Sequence, residues 1–208
     1  MQYVPRAHGS EWAPKLLGTY ECEIAPAIEE ALTRKPRLFV NIGGGEGYYA
    51  VGLALRSPGV ETVCFESSRR GRSMIRRLAD HNDVVDRLRV FGTCNREALA
   101  ATLSHGSRVF VLCDVEGAEW ELLDPVAIPS LREADVLVEL HEFRRPGVGE
   151  ELIARFRATH SIESIAARSR SPEDCPIDLA SLAPYRSTLL SEERPPGMSW
   201  LWMRAVAR

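Results

Sequence analysis

Residues 38–54 read LFVNIGGGEGYYAVGLA, in which an apolar run enters a cluster of glycines and apolar residues at helical spacing follow. This pattern predicts a strand, a tight turn and the start of a helix. Glycine permits positive φ and lets a ligand lie against bare backbone, and the unpaired N–H groups of a helix start face whatever binds there. The segment therefore predicts a nucleotide-type cofactor loop that contains Gly43, Gly45 and Gly47.

The spacing of these glycines distinguishes between nucleotide motifs. A phosphate-binding loop of the ATPase kind ends in Gly-Lys followed by Ser or Thr, and this loop has no lysine. A dinucleotide loop has Gly-x-Gly-x-x-Gly, whereas Gly43, Gly45 and Gly47 follow Gly-x-Gly-x-Gly. The latter spacing resembles the first motif of class I S-adenosylmethionine (SAM) methyltransferases. That family usually has Asp or Glu where this chain has Asn41, whose amide can hold the amino-acid end of the cofactor.

A carboxylate after the second apolar run supports a ligand at this loop over a glycine turn without one. Glu66 follows residues 62–65, about twenty residues after the glycines, where an acid can accept both hydroxyls of an adenosine ribose. The alternative role is that of an ordinary polar residue at a strand end. Arg69, Arg70 and Arg72 could bind the 2′-phosphate of NADP, but Glu66 would repel that phosphate. SAM is therefore preferred over NADP.

Composition limits the class of protein. The chain has 208 residues, 45% of them hydrophobic and 26% charged, which fits one domain over 1–208 with a sizeable core. No apolar run is long enough for a membrane span, and residues 1–6 lack the form of a secretory signal. The five scattered cysteines are typical of a reduced cytoplasmic protein. A net charge of −3 disfavours a nucleic-acid binder, and the arginine-rich run 68–77 is interpreted as a solvated helix face.

Strand-like and helix-like runs alternate along the chain after residue 37. Strands are predicted at 38–42, 62–66, 88–91, 109–113, 135–140, 161–166 and 200–206. Helices are predicted at 47–56, 70–80, 95–104, 117–124 and 150–159. Such alternation implies right-handed βαβ units, so the fold class is α/β, with a Rossmann-like, mainly parallel sheet and helices on both faces.

The chain divides into three parts around this core. Residues 1–37 form a predicted N-terminal helical cap, because apolar residues recur at helical spacing over 11–35, divided by Pro14 and Pro26. Residues 38–142 form the predicted cofactor-binding core. Residues 143–208 form the C-terminal part. Within it, 169–199 is rich in Ser, Pro and charge, and is predicted to be a long irregular excursion.

A second motif, VFVLCDVEGAEWELL at residues 109–123, delivers Asp114 to the end of an apolar strand. Ligands bind at that edge of an open parallel sheet. A helix is predicted to follow, with Glu116 and Glu119 in its first turn. Alternatively, Asp114 caps this helix and the glutamates complement its dipole, which is a sufficient role for Glu119 and Glu121.

A third motif, DVLVELHE at residues 135–142, places Glu139 and His141 on the same face of the fifth strand. If this strand lies beside the one that ends at Asp114, the three side chains form a set of two carboxylates and one imidazole. Such a set suits a divalent metal ion or general base catalysis. The alternative is a buried, hydrogen-bonded charge pair between the strands.

Together these motifs resemble the FkbM-type methyltransferases. The resemblance rests on Asn-Ile-Gly-x-x-x-Gly-Tyr-Tyr at 41–49, Phe-Glu-Ser at 65–67, Asp-Val-Glu-Gly-Ala-Glu at 114–119 and Val-Glu-Leu-His at 138–141. It implies a seven-stranded sheet, SAM as cofactor, and methylation of a hydroxyl group on a small molecule. With SAM as the cofactor, the expected cofactor-binding residues are Glu21, Asn41, Gly43, Gly45, Gly47, Glu66, Ser67, Thr93, Cys94, Asn95 and Asp114.

The expected catalytic residues are Asp114 and His141, either of which could take the substrate proton, and the expected metal ligands are Asp114, Glu139 and His141. Two other functions stay open at this point. The chain could be a SAM-binding partner or regulatory protein without catalysis, or an RNA methyltransferase that uses the arginines of 69–77. The oligomeric state also stays open.

Overall fold

Seven strands form one sheet in the computed structural model, which describes residues 1–195 and 197–206. Position 196 of the predicted excursion and positions 207–208 of the predicted domain lie outside the described residues. The strands are β1 Leu38–Ile42, β2 Glu61–Phe65, β3 Leu88–Phe91, β4 Val109–Cys113, β5 Asp135–Leu140, β6 His160–Ala166 and β7 Ser199–Ala205. Their spatial order is β3-β2-β1-β4-β5-β7-β6.

The first five strands pair in parallel, and β7 runs antiparallel between β5 and β6. The strand order reverses between β1 and β4, and a sheet of this kind binds ligands at the carboxyl ends of the strands beside such a switch point. The register aligns Ile42 with Cys113, so the glycine loop after β1 and Asp114 after β4 leave the sheet side by side.

Eight α-helices accompany the sheet within the described residues. They are α1 Trp12–Leu17, α2 Ala25–Thr33, α3 Tyr48–Arg56, α4 Arg69–Asp80, α5 Arg96–Ser104, α6 Glu119–Leu122, α7 Val148–Phe156 and α8 Arg186–Leu190. Apolar residues of α5 and α7 pack on one face of the sheet, and those of α2, α3 and α4 pack on the other. Because both faces are covered, every residue of β1, β4 and β5 is buried.

The predicted strands are confirmed, with four of the seven at the predicted bounds and the others shifted by one residue. The helix predicted at 117–124 is shorter, since α6 spans only Glu119–Leu122. Glu116 and Gly117 have φ of 55° and 112°, which no α-helix accommodates, so Glu116 lies in the turn before the helix and not in its first turn. Pro125 then limits any extension beyond residue 123.

The N-terminal prediction was right about helices but wrong about what divides them. Pro14 lies within the first turn of α1, and Pro26 is at the start of α2, where proline costs no hydrogen bond. The break instead falls at Gly18 and Glu21, which both adopt left-handed φ. A single 3₁₀ turn, Cys22–Ile24, then leads into α2.

The predicted irregular excursion also contains short helical pieces. They are the 3₁₀ segments Pro172–Asp174 and Ala180–Tyr185, followed by α8. The excursion contacts the N-terminal cap, because α8 lies against α1. None of the helices in the described part of the chain has the length and apolar character needed to span a bilayer.

Candidate functional site

The glycine loop is fixed by backbone contacts that leave no space for side chains. Gly43 has φ of 86°, and a Cβ atom there would lie 1.6 Å from the carbonyl oxygen of Asp114. The N–H groups of Gly43 and Gly44 donate to the carbonyl of Phe65 at 2.9 and 3.0 Å. Gly45 has φ of 55°, and its N–H donates to Glu66 Oε2 at 2.8 Å. The loop is therefore held across the ends of β2 and β4.

Glu66 supports the same loop from the end of β2. Its side chain is buried, and its second oxygen accepts the N–H of Ser68 at 2.7 Å. Each carboxylate oxygen has further lone pairs that can accept ligand hydroxyls. Arg72, one of the residues interpreted as a solvated face, donates instead to the backbone carbonyls of Glu66 and Ser67 at 2.7 Å each. Arg72 therefore holds the backbone of Glu66 and Ser67 at the end of β2.

A cavity of about 420 Å³ opens over the glycine loop, and we call it the loop cavity. Seven of the predicted cofactor residues line it: Gly43, Gly45, Glu66, Ser67, Thr93, Cys94 and Asp114. Four do not line it within the described residues. Gly47 closes the turn before α3, and Asn95 caps α5 by accepting the N–H of Ala98. Glu21 and Asn41 are buried beside the loop.

The two buried candidates differ in what they contact. Both oxygens of Glu21 are occupied, since one accepts the hydroxyl of Tyr49 and the other pairs with Arg194. Asn41 Oδ1 faces Cys64 Sγ at 4.0 Å, whereas its Nδ2 is buried and has no hydrogen-bond partner among the described residues. Asn41 thus retains an unused donor beneath the loop.

The N-terminal segment covers the loop cavity and is fastened by Glu46. This glutamate lies within the glycine loop and is fully buried. It accepts the hydroxyl of Tyr3, the N–H of His8 at 2.9 Å and the ammonium of Lys15 at 2.5 Å. Neither Glu46 nor Lys15 was singled out from the sequence, because nothing in a pattern indicates a partner 31 residues away. The position of Lys15 in a predicted amphipathic segment does not indicate that its side chain contacts the glycine loop.

A smaller cavity of about 210 Å³ adjoins the first, and we call it the carboxylate cavity. The two cavities share five lining residues, Gly9, Ser10, Tyr20, Asp114 and Glu116. The carboxylate cavity is completed by residues of β5, of the segment that follows it and of the excursion: Glu139, His141, Phe143, Glu192, Glu193, Arg194, Pro195 and Met198. Carboxylates dominate its charge.

The three predicted metal ligands meet in this second cavity. Asp114, Glu139 and His141 each offer a ligand atom, and these atoms lie within 4.8 Å of one another. Nε2 of His141 is 3.7 Å from Asp114 Oδ1 and 3.8 Å from Glu139 Oε2, beyond hydrogen-bond distance from both. The prediction that adjacent strand ends bring these residues together is confirmed.

Glu119 contacts His141 from the opposite side. The helix-dipole role proposed for Glu119 is insufficient, because its buried carboxylate hydrogen-bonds Nδ1 of His141 and also accepts the N–H of Gly117 at 3.0 Å. An Nδ1 proton donated to Glu119 leaves the Nε2 lone pair directed into the carboxylate cavity. This arrangement serves either proton abstraction or metal binding.

The electrostatics of the cluster follow from its burial. Burial raises the pKa of Glu139 well above its usual range, and the nearby carboxylate of Asp114 raises it further. Burial lowers the pKa of His141, but the hydrogen bond with Glu119 and the surrounding carboxylates outweigh that effect and raise it overall. The cluster therefore favours bound positive charge, as a proton or as a cation.

Arg194 brings the excursion into the wall of the carboxylate cavity. Its guanidinium pairs with Glu139 and Glu21, and its Nε lies 2.8 Å from Glu192. Glu192 also pairs with Arg170 at 2.6 Å. This ion-pair network connects the excursion to the N-terminal cap and to β5. Because Arg194 comes from a region without a recognisable motif, its role could not be predicted.

The fold is that of the Rossmann-like class I methyltransferases. The methyltransferase domain of METTL16 is similar to it with a TM-score of 0.58 and 16% identity over 95% of this chain and 70% of that one. A putative precorrin-6Y C5,15-methyltransferase domain from Corynebacterium diphtheriae is similar with a TM-score of 0.58 and 18% identity, over 92% of this chain and 99% of that one. An O-methyltransferase from Bacillus cereus, in complex with SAH, is similar with a TM-score of 0.54 and 14% identity, over 93% of this chain and 80% of that one.

No protein-family model and no curated protein matches the chain. The similarity to solved structures, at these identities, is a similarity of fold.

Proposed function

We propose that the protein is a SAM-dependent methyltransferase of the FkbM type that methylates a hydroxyl oxygen of a small molecule. One observation carries the proposal: the loop cavity, which suits a nucleoside cofactor, opens onto the carboxylate cavity across Asp114, Tyr20 and Glu116. The second cavity presents Nε2 of His141, with carboxylate oxygens of Glu116, Asp114 and Glu139 at 3.5, 3.7 and 3.8 Å. A cofactor site next to a potential base is the arrangement that methyl transfer to oxygen requires.

The residues of the loop cavity fit SAM. Gly43 and Gly45 present bare backbone, since a Cβ at either would meet the carbonyl of Asp114 or of His8 within 3.2 Å. Glu66 has lone pairs for the ribose hydroxyls, and Thr93 and Cys94 form the wall beyond β3 where an adenine would rest. The orphaned Nδ2 of Asn41 is a donor near the amino-acid end.

When bound, SAM supplies a methyl group that is already activated by its sulfonium. The protein must orient the substrate hydroxyl, exclude water and remove a proton. The N-terminal segment excludes water, because it covers the loop cavity through Tyr3, His8 and Lys15. His141 accepts the proton at Nε2, and Glu119 stabilises the resulting imidazolium through Nδ1.

We also propose an alternative role for Nε2 of His141, in which it binds a divalent metal ion together with Asp114 and Glu139. Two carboxylates and an imidazole suit manganese or iron better than magnesium. Glu119 then serves as the carboxylate that orients the histidine ligand. Such an ion would lower the pKa of a substrate hydroxyl.

The rival functions are less well supported. METTL16 has the same fold, but in this chain Arg72 and Arg76 donate to backbone carbonyls. The cavity beside the cofactor site is lined mainly by carboxylates, which would repel an RNA backbone. The buried Glu119–His141 pair, which orients Nε2 into a cavity beside the proposed cofactor site, favours catalysis over SAM binding alone. A cytoplasmic location and a small-molecule substrate remain part of the proposal.

The test is to incubate purified protein with SAM and a metabolite extract, and to follow formation of S-adenosylhomocysteine. The proposal expects extract-dependent turnover in the wild type. His141→Gln should bind SAM with unchanged affinity and turn over at least tenfold more slowly. SAM binding without turnover in any extract would favour the non-catalytic rival, turnover only with RNA would favour an RNA methyltransferase, and absence of SAM binding would overturn all three.

A further inference from the structure

Lys15 is the basic side chain placed in the loop cavity. The chain has only two lysines, Lys15 and Lys35, and the first lies in the wall of the loop cavity as the single Lys or Arg among the described residues that line it. The side chain of Lys15 is 5% exposed. A buried ammonium loses hydration, so such a position needs partners of opposite charge or strong acceptors.

The ammonium of Lys15 has one donor left for a ligand. Nζ lies 2.5 Å from both Glu46 Oε1 and Ser10 Oγ, which uses two of its three N–H groups. It also lies 4.5 Å from the ring centroid of Tyr20, whose ring lines the same cavity. The ring centroid of Tyr48 lies 5.6 Å from Nζ as well, and the third N–H has no hydrogen-bond acceptor among the described residues. Because Lys15 lines the loop cavity, a ligand bound there can supply that acceptor.

The start of α3 lies next to the Lys15–Glu46 pair. The glycine loop leads into α3, whose N-terminus has no side-chain cap and no acidic residue in its first turn. The positive end of the helix dipole and the ammonium of Lys15 thus face the same loop. Of the other predicted candidates for this end of the cofactor, Glu21 is negatively charged and both its oxygens are occupied, and Asn41 does not line the loop cavity.

We propose that Lys15 binds the α-carboxylate of the amino-acid end of the cofactor, as a third partner beside Glu46 and Ser10. This inference rests on the proposed function, since it assumes a SAM-like ligand in the loop cavity.

The competing interpretation is that Lys15 only fastens the N-terminal segment to Glu46. The two interpretations differ for ligands that lack the carboxylate. S-adenosylhomocysteine carries the whole amino-acid end, whereas 5′-methylthioadenosine has the same adenosine and thioether without it. A fastening role affects both ligands alike, and a carboxylate contact affects only the first.

The experiment is calorimetric titration of both ligands into the wild type, Lys15→Met, Glu46→Gln and Lys15→Met/Glu46→Gln, with Lys35→Met as the exposed-lysine control. The readout is the ratio of the dissociation constants of the two ligands. We expect Lys15→Met to weaken the binding of S-adenosylhomocysteine about 10- to 100-fold relative to the binding of 5′-methylthioadenosine. This is the scale of a hydrogen bond to a charged group. Glu46→Gln and Lys35→Met should leave the ratio unchanged.

The double variant protects the test against misfolding, because it does not leave Glu46 buried without its counter-ion. It should show the same altered ratio as Lys15→Met. An unchanged ratio in Lys15→Met or in the double variant would overturn the Lys15 assignment and leave the proposed function intact. A wild type that binds neither ligand would instead overturn the proposed function itself.

Discussion

Glu119 and His141 form a buried hydrogen bond that joins α6 to the end of β5. The histidine side chain is 2% exposed and that of the glutamate 1%. Because Nδ1 is held by this carboxylate, Nε2 is directed toward Asp114 and Glu139, at 3.7 and 3.8 Å. The pair fixes both the tautomer and the orientation of the ring, whichever role Nε2 performs.

Glu119→Gln should lower turnover roughly 10- to 100-fold without changing SAM affinity, the usual scale for losing the carboxylate behind a functional histidine. The amide can still accept the Nδ1 proton, but it no longer stabilises an imidazolium. Steady-state kinetics and titration calorimetry would measure the two effects. Glu121→Gln, an exposed neighbour on α6, is the control and should behave as the wild type.

The same substitution should move the pH profile in a defined direction. In either role, accepting a proton or binding a metal, Nε2 must be unprotonated. Turnover should therefore rise with pH through the pKa of His141. Glu119 and the other carboxylates raise that pKa above its ordinary value, although burial alone lowers it. Glu119→Gln should therefore shift the acidic limb of kcat toward lower pH. A limb that stays in place would mean that another group controls it.

Gly45→Val should abolish SAM binding in a protein that still folds. Valine disfavours φ of 55°, and its Cβ would lie 3.2 Å from the carbonyl oxygen of His8 in the N-terminal segment that covers the loop cavity. Circular dichroism would establish folding, and calorimetry would measure binding. The control is Gly52→Ala in α3, where an added Cβ meets no atom within 4 Å. SAM affinity equal to that of the wild type in Gly45→Val would show that the cofactor loop is misplaced.

Glu66→Ala should weaken SAM binding by about 1.5–3 kcal/mol, the scale of hydrogen bonds to a charged acceptor. The substitution also releases the N–H groups of Gly45 and Ser68. Glu61→Ala, at the opposite end of β2, removes only the surface pair with Arg89 and should leave affinity unchanged. NADPH should bind neither variant, and tight NADPH binding by the wild type without SAM affinity would instead indicate an oxidoreductase.

Asp114→Asn tests the metal proposal, because it keeps the size of the side chain and removes its charge. If a metal is used, this variant and a chelator should both suppress turnover more than SAM binding. Restoring manganese or iron should rescue the chelated wild type but not the variant. Turnover that is indifferent to chelators would assign Asp114 and His141 to proton transfer alone.

Local patterns were enough to predict the sheet and part of the site. Strand bounds followed from buried apolar runs, and parallel pairing of β4 with β5 was enough to bring Asp114, Glu139 and His141 together. The Gly-x-Gly-x-Gly spacing identified a loop in which a Cβ on Gly43 cannot fit. These predictions succeeded because they depend on neighbours in sequence or on adjacent strands.

Long-range side-chain partners could not be predicted in this way. The partners of Glu46 come from the N-terminal segment, and Arg194 reaches Glu139 from 55 residues away. Glu119 resembled a residue that complements a helix dipole until the fold placed it against His141. Such contacts depend on how separate elements pack, which neither spacing nor composition determines.

The central claim is that the loop cavity binds a SAM-type cofactor, and a crystal structure with S-adenosylhomocysteine tests it most directly. We predict the ribose on Glu66, the adenine beside Thr93 and Cys94, and the thioether beside Asp114, which lines both the loop cavity and the carboxylate cavity. Saturating ligand that leaves the loop cavity empty, or binds at another place on the protein, would contradict it.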